Sequence, residues 1–96
     1  MLHLIFQSPI EQAVLQRIDP GDVVVFMENA LLRILQNGVM ASALATLLKT
    51  NRLCVMSEDI IVRGIAVDAL ITGIDVIDYA ELVELTVHNS AIQSWT

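Results

Sequence analysis

Cysteine is nearly absent: Cys54 stands alone among 96 residues, so no internal disulfide can form. Basic residues are scarce as well. Arg17, Arg33, Lys49, Arg52 and Arg63 face eleven acidic residues, for a net charge of -6, and they do not cluster. Phosphate binding through counterion release needs a concentrated basic surface, so no direct nucleic-acid contact is expected. The four glycines, Gly21, Gly38, Gly64 and Gly73, form neither GxGxxG nor a P-loop, which removes the usual nucleotide cradles and leaves no cofactor to expect. His3 and His88 lie at opposite ends of the chain with no cysteine or histidine at ligand spacing from either, so no metal site is expected. The longest uncharged stretch, residues 34–48, is interrupted by Gln36, Asn37 and Gly38, whereas a membrane span needs about 20 apolar residues. No membrane span is expected. The N-terminus has neither the basic region nor the small-residue cleavage site of a signal peptide, and the cytoplasm is the expected compartment.

What the chain has in excess is apolar side chains. They make up 55% of it, against roughly 45–50% in an ordinary soluble domain. Only 17% of residues are charged. So small an interior cannot hide that much apolar surface, and part of it is expected at subunit contacts of an obligate oligomer. No linker, repeat or low-complexity segment divides residues 1–96, which read as one domain.

Local patterns predict strands alternating with short helices. Met1 to Phe6 reads as a strand, and Ser8-Pro9-Ile10-Glu11 as a capped helix start with Ile10, Val14, Leu15 and Ile18 on one face. Asp19-Pro20-Gly21-Asp22 stops that helix, and Val23 to Met27 is a continuous β-branched strand. Ala30 to Leu35 reads as a short helix ending near Asn37-Gly38. A second helix carries Val39, Met40, Ala43, Leu44, Leu47 and Leu48 and, having no charge, is expected to be buried on most sides. Leu53 to Met56 is an unbroken apolar run suited to a strand covered on both faces. Ser57 is placed to cap the following helix, Glu58 and Asp59 sit in its first turn, and Arg63 and Gly64 close it. Residues 65–73 read as a loop, Ile74 to Ile77 as a fourth strand, and Asp78-Tyr79-Ala80-Glu81 as the capped start of a helix reaching about His88. The expected fold is α/β, with a mostly parallel sheet and helices on both faces.

Cys54 is the one residue whose type suits a nucleophile or sulfur carrier. Such a thiol needs exposure and surroundings that favour thiolate. Arg52, two residues back on the same strand face, would help, and Glu58 and Asp59 would oppose it. A cysteine inside an apolar strand is more often inert core. Glu58-Asp59 could be read as paired acids, but adjacent helical residues point apart, and complementing the helix dipole is the better account. His88 complements the dipole at the other end of its helix. No GxSxG elbow supports a serine nucleophile. Trp95 is a large apolar anchor, expected to dock on the domain or on a partner.

Met1-Leu2-His3 with Ser8-Pro9, Gly21-Asp22-Val23-Val24-Val25, Glu58-Asp59 with Arg63-Gly64, Ile77-Asp78-Tyr79 leading into Leu85-Thr86, and Trp95 occur in an order that resembles the DsrH/TusB-like family of sulfur-relay subunits. The resemblance spans almost the full length. It implies a small three-layer DsrE-like domain that assembles with homologous DsrE/TusD-like and DsrF/TusC-like subunits into a heterohexamer. It also implies cytoplasmic passage of persulfide sulfur, either toward 2-thiolation of the wobble uridine of certain tRNAs or during sulfur oxidation, with the main sulfur-carrying cysteine on the DsrE/TusD-like partner. The chain departs from the DsrH side of the family in having no cysteine within residues 9–21. Cys54 falls in a strand and inherits no catalytic role by position. Glu28-Asn29 replaces the Asp-Gly pair that often follows the second strand.

The expected function is therefore that of a structural partner of the sulfur-carrying subunit, with no catalytic residue of its own and tRNA thiolation as the favoured pathway. The rival makes Cys54 itself a persulfide carrier. A receiver-like regulatory module is a weaker rival, since Gln7 and Ser8 follow the first strand where acids are needed, and no lysine occurs after Lys49. The isolated chain, with its apolar excess, could self-associate.

Overall fold

The computed structural model describes residues 1–6, 15–28, 30 and 41–95. The expected helix start at residues 8–11, the helix over residues 30–35 apart from Ala30, and Val39 and Met40 lie outside the described residues. Five strands, β1 (Leu2–Ile5), β2 (Val23–Phe26), β3 (Arg52–Met56), β4 (Asp75–Ile77) and β5 (Ile92–Trp95), form one sheet in the order β4-β3-β2-β1-β5. Every neighbouring pair is parallel. Three α-helices are described: α1 (Ala41–Leu47), α2 (Ser57–Arg63) and α3 (Tyr79–His88).

The strand order decides where the helices go. From β1 to β4 the chain steps in one direction along the sheet, and from β4 to β5 it steps back. Right-handed crossovers then require the last connection to lie on the opposite face from the others. The core divides accordingly. Ile5, Val24, Phe26, Leu53 and Val55 point to a first face covered by Leu15, Ile18, Ala30, Leu44, Ile60, Leu70 and Ile71. Leu2, Val25, Cys54, Met56 and Ile77 point to a second face covered, among the described residues, only by Leu82 and Leu85 of α3. The expected α/β sheet with helices on both faces is present, and it is parallel throughout.

Several local expectations are met with a clear physical cause. Gly64 ends α2 in the left-handed region, at φ 64. The Gly64 N–H donates to Ile61 and the Ile65 N–H to Ile60, which together satisfy the last carbonyls. The Asp78 carboxylate accepts the Glu81 N–H at 2.8 Å and caps α3. Gly21, at φ 90, makes the turn between Ile18 and β2.

Other expectations are corrected. Ser57 does not cap α2: it is the first helical residue, Met56 occupies the cap position without a side-chain bond, and the Ser57 hydroxyl turns to Glu58 Oε2 at 3.2 Å. The chain passes from β3 into α2 with no intervening residue, so no position is left for a capping side chain. Helix α1 buries Leu44, while Ser42, Ala45 and Thr46 are exposed. Its outer face is made of small residues, which this chain alone leaves uncovered. The loop at residues 65–73 contains a short 3-10 turn, Val67–Ala69. Finally, Ile92–Trp95 is a fifth strand, pairing with β1 from Leu2↔Ile92 to Ile5↔Trp95.

Candidate functional site

Cys54 sits in the middle of β3 with zero exposure. Successive strand residues alternate faces, so Leu53 and Val55 enter the first-face core, and Cys54 and Met56 enter the second. Cys54 lies between Val25 of β2 and Asp75 of β4. Burial pushes its thiol up to about 11. Arg52 acts in the opposite direction, while Asp75 and Glu81 add to the rise.

Arg52 is nearby, as its spacing suggested, but its charge is already engaged. Arg52 Nε donates to Asp75 Oδ2 at 2.8 Å, and a second guanidinium nitrogen lies 4.0 Å from Glu81 Oε2. The acids that oppose the thiolate are therefore Asp75 and Glu81. Glu58 and Asp59, expected in that role, lie at the start of α2 instead. A thiolate needs solvent or uncompensated positive charge, and neither reaches Cys54.

In an open parallel sheet, ligands favour the carboxyl ends of strands where the winding direction reverses. Here that point lies between β1 and β5. The described residues just beyond the strand ends are Phe6, Met27, Glu28, Ser57 and Asp78. Glu28 holds the left-handed region at φ 54, and its N–H donates to Asp59 Oδ2 at 2.9 Å. The loop at Glu28-Asn29 thus keeps at Glu28 a backbone that glycine adopts more readily. Asp59, read as a dipole partner, also fastens the β2 exit to α2. No group of His, Cys, Asp or Glu suited to a metal ion occurs among the described residues.

A polar cluster near the opposite end of the sheet was not foreseen. His3, fully inside β1, places Nε2 2.9 Å from Asp22 Oδ2. Trp95 Nε1–H donates to His3 Nδ1 at 3.2 Å. Because an indole nitrogen only donates, His3 accepts at Nδ1 and donates from Nε2 to the Asp22 carboxylate. Asp22 also receives the Met1 ammonium at 2.9 Å and the Asp19 N–H at 3.0 Å. Asn51 ties the same turn to β3 by donating to the carbonyls of Asp19 and Asp22. Burial works against the Asp22 carboxylate but is outweighed by the hydrogen bonds from the ammonium, His3 and Asp19, which hold it near 2. Among the described residues no buried side-chain polar atom is left without a partner. The cluster joins β1, β2, β3 and β5. The available signal was a histidine on the buried face of an apolar strand, which demands partners.

Trp95 therefore docks within the chain, half-buried against the first-face core. His88 occupies the last turn of α3, as its dipole role requires. The apolar surplus remains outside. Ile61 and Val62 on α2 are 77% and 83% exposed, and Tyr79, Val83 and Val87 form an exposed stripe along α3.

A small parallel α/β sheet with, among the described residues, one helix on its second face and a sealed thiol beneath it defines the class of protein. The sequence matches the family described as DsrH like protein over residues 6–92. The chain belongs to the DsrH-like family. It is 26% identical to Protein TusB of Buchnera aphidicola subsp. Baizongia pistaciae and 29% identical to Protein TusB of Cronobacter sakazakii. Each alignment covers 99% of this chain and 100% of the relative. A Methanobacterium thermoautotrophicum protein of unknown function, MTH1491, shares the fold with a TM-score of 0.81 at 15% identity, over 98% of this chain and 96% of that one. No helix among the described residues is long and apolar enough to cross a membrane.

Proposed function

We propose that this chain is a structural subunit of a sulfur-relay complex, supporting a homologous partner that carries the persulfide. Family membership supports the relay assignment. The burial of Cys54 carries the assignment of role. It is the one cysteine in the whole sequence, and its thiol is shut off from solvent and held far from thiolate. A sulfur carrier must expose its sulfur to a donor and then to an acceptor. A thiol beneath α3 does neither.

The partners are DsrE/TusD-like and DsrF/TusC-like subunits in a heterohexamer, and the resemblance to TusB favours cytoplasmic passage of sulfur toward 2-thiolation of the tRNA wobble uridine. The exposed apolar residues on α2 and α3 supply contact surface for such an assembly.

The test is to purify a tagged copy from its own host and identify the chains that accompany it. Two related small subunits in equal amounts are expected, with trappable persulfide on a partner cysteine. A chain recovered without related subunits, or persulfide trapped on Cys54, would overturn the proposal.

A further inference from the structure

The two edges of the sheet are built differently. β4 is three residues long, carries Asp75 and runs directly into Asp78, the charge and brevity by which proteins protect a free edge. β5, four residues long, lacks the charge. No charged residue or proline occurs in residues 89–96.

The pairing with β1 fixes which main-chain groups of β5 remain available. The Leu2 N–H donates to Ala91 and the Phe6 N–H to Trp95. Alternate residues of a parallel strand bond to the same side, so Ala91, Gln93 and Trp95 face β1 while Ile92 and Ser94 present their N–H and C=O groups outward. Among the described residues no strand pairs with that side. The Ser94 carbonyl is held there by the Gln93 side-chain amide at 3.1 Å.

We propose that this edge is the surface through which two copies of the chain pair, β5 against β5 across a twofold axis. The proposal goes beyond the relay assignment and does not need it. With the axis at Gln93, Ile92 of each copy lies opposite Ser94 of the other, and the outward groups exchange reciprocal antiparallel hydrogen bonds. Charge singles out this segment. Each copy carries a net charge of -6, and a twofold contact lays a segment against its own image, so charges within it would meet like charges. Residues 89–96 contain none.

Helix α3 supports the same axis. Glu81 leans toward Arg52 and hence toward β3 and β4. Val83 lies on the other flank of the buried Leu82, each about 100° from it around the helix. The stripe of Tyr79, Val83 and Val87 therefore faces β1 and β5. Ile92, 46% exposed, lies on the same sheet face as Leu2. A twofold axis normal to the sheet keeps both copies' second faces on one side. Both stripes and both Ile92 side chains then turn toward the axis.

The experiment is sedimentation of the purified full chain over a range of concentrations, alongside Ser94→Pro and Ile92→Lys, with Ala45→Lys on the exposed face of α1 as control. Ser94→Pro removes an outward N–H that β1 does not use, and Ile92→Lys places a charge on the edge. A dimer is expected for the wild type and control, with the dissociation constant raised at least about tenfold in Ser94→Pro, through hydrogen bonds lost twice by symmetry, and in Ile92→Lys, through like charges brought together near the axis. Amide exchange on the wild type gives a second readout that does not depend on the variants folding. The Ile92 and Ser94 amides should gain protection as concentration rises. A monomer throughout, a dimer unaffected by both edge substitutions, or no concentration-dependent protection at those amides would overturn the proposal.

Discussion

The two faces of the sheet solve the same burial problem with unequal means. The first is covered from several segments, including α1, α2 and the chain before β2. The second relies on α3 alone among the described residues, and it holds both the one cysteine and the apolar stripe that remains exposed. Apolar surplus in a small chain need not mean a larger core. Here it lies outside, on Ile61 and Val62 of α2 and on Tyr79, Val83 and Val87 of α3, as unused contact area. The second face is also where chemistry would have to occur if Cys54 were its agent, yet the side chains packed on this face beneath α3 close the thiol.

The largest expected effect breaks the better-covered face. Phe26, fully buried on the first face, should cost about 3–5 kcal/mol on replacement by alanine. Leu82→Ala, under the single helix of the second face, should fall nearer 2–3 kcal/mol because the cavity opens toward solvent. Urea denaturation of the two variants measures the difference, and equal losses would mean that the faces are equally well packed.

The thiol comes next. With Cys54 held at about 11, its thiolate fraction at pH 8 falls ~10²-fold below that of an ordinary cysteine, before access is considered. Alkylation of the native chain should therefore be slower than in denaturant by at least that factor. Labelling at equal rates in both states would place the thiol on the surface.

Asp22 gives a smaller, pH-dependent effect at the polar cluster. Its folded value of about 2 lies below the ~3.9 of an unfolded aspartate. The stability it contributes is complete above about pH 4 and is lost as pH falls toward 2. Acid titration of unfolding free energy should show this fall, and Asp22→Asn should flatten it while lowering stability near neutrality. The smallest effect is at Glu28. Replacing it by glycine relieves the left-handed backbone but frees the unfolded chain, for a net gain of about 0.5–1 kcal/mol by thermal unfolding.

Much of the scaffold was legible because its causes are local. The β-branched run of β2, the apolar run of β3, the Asp78 cap and the Gly64 stop each depend on a few adjacent residues. β5 was not legible. Ile92, Gln93 and Ser94 are exposed, and the segment is a strand because β1 offers it an edge, a cause that lies outside it. The His3 cluster was hidden for a related reason, its contacts spanning 19 and 92 residues of sequence. The surroundings of Cys54 were half visible. An apolar run implies burial, but the neutralisation of Arg52 by Asp75 reaches across 23 residues. Ser57 shows the opposite error, a sound local signal for a cap overruled because strand and helix abut.

The most direct test of the account is sulfur transfer by the complex assembled with Cys54→Ala in place of the native chain. Alanine keeps the site small and apolar, so assembly should survive. The account predicts transfer within about twofold of the unmodified complex, since less than about 0.4 kcal/mol of barrier should depend on a sealed thiol. Loss of transfer with assembly intact would contradict it and make Cys54 a carrier.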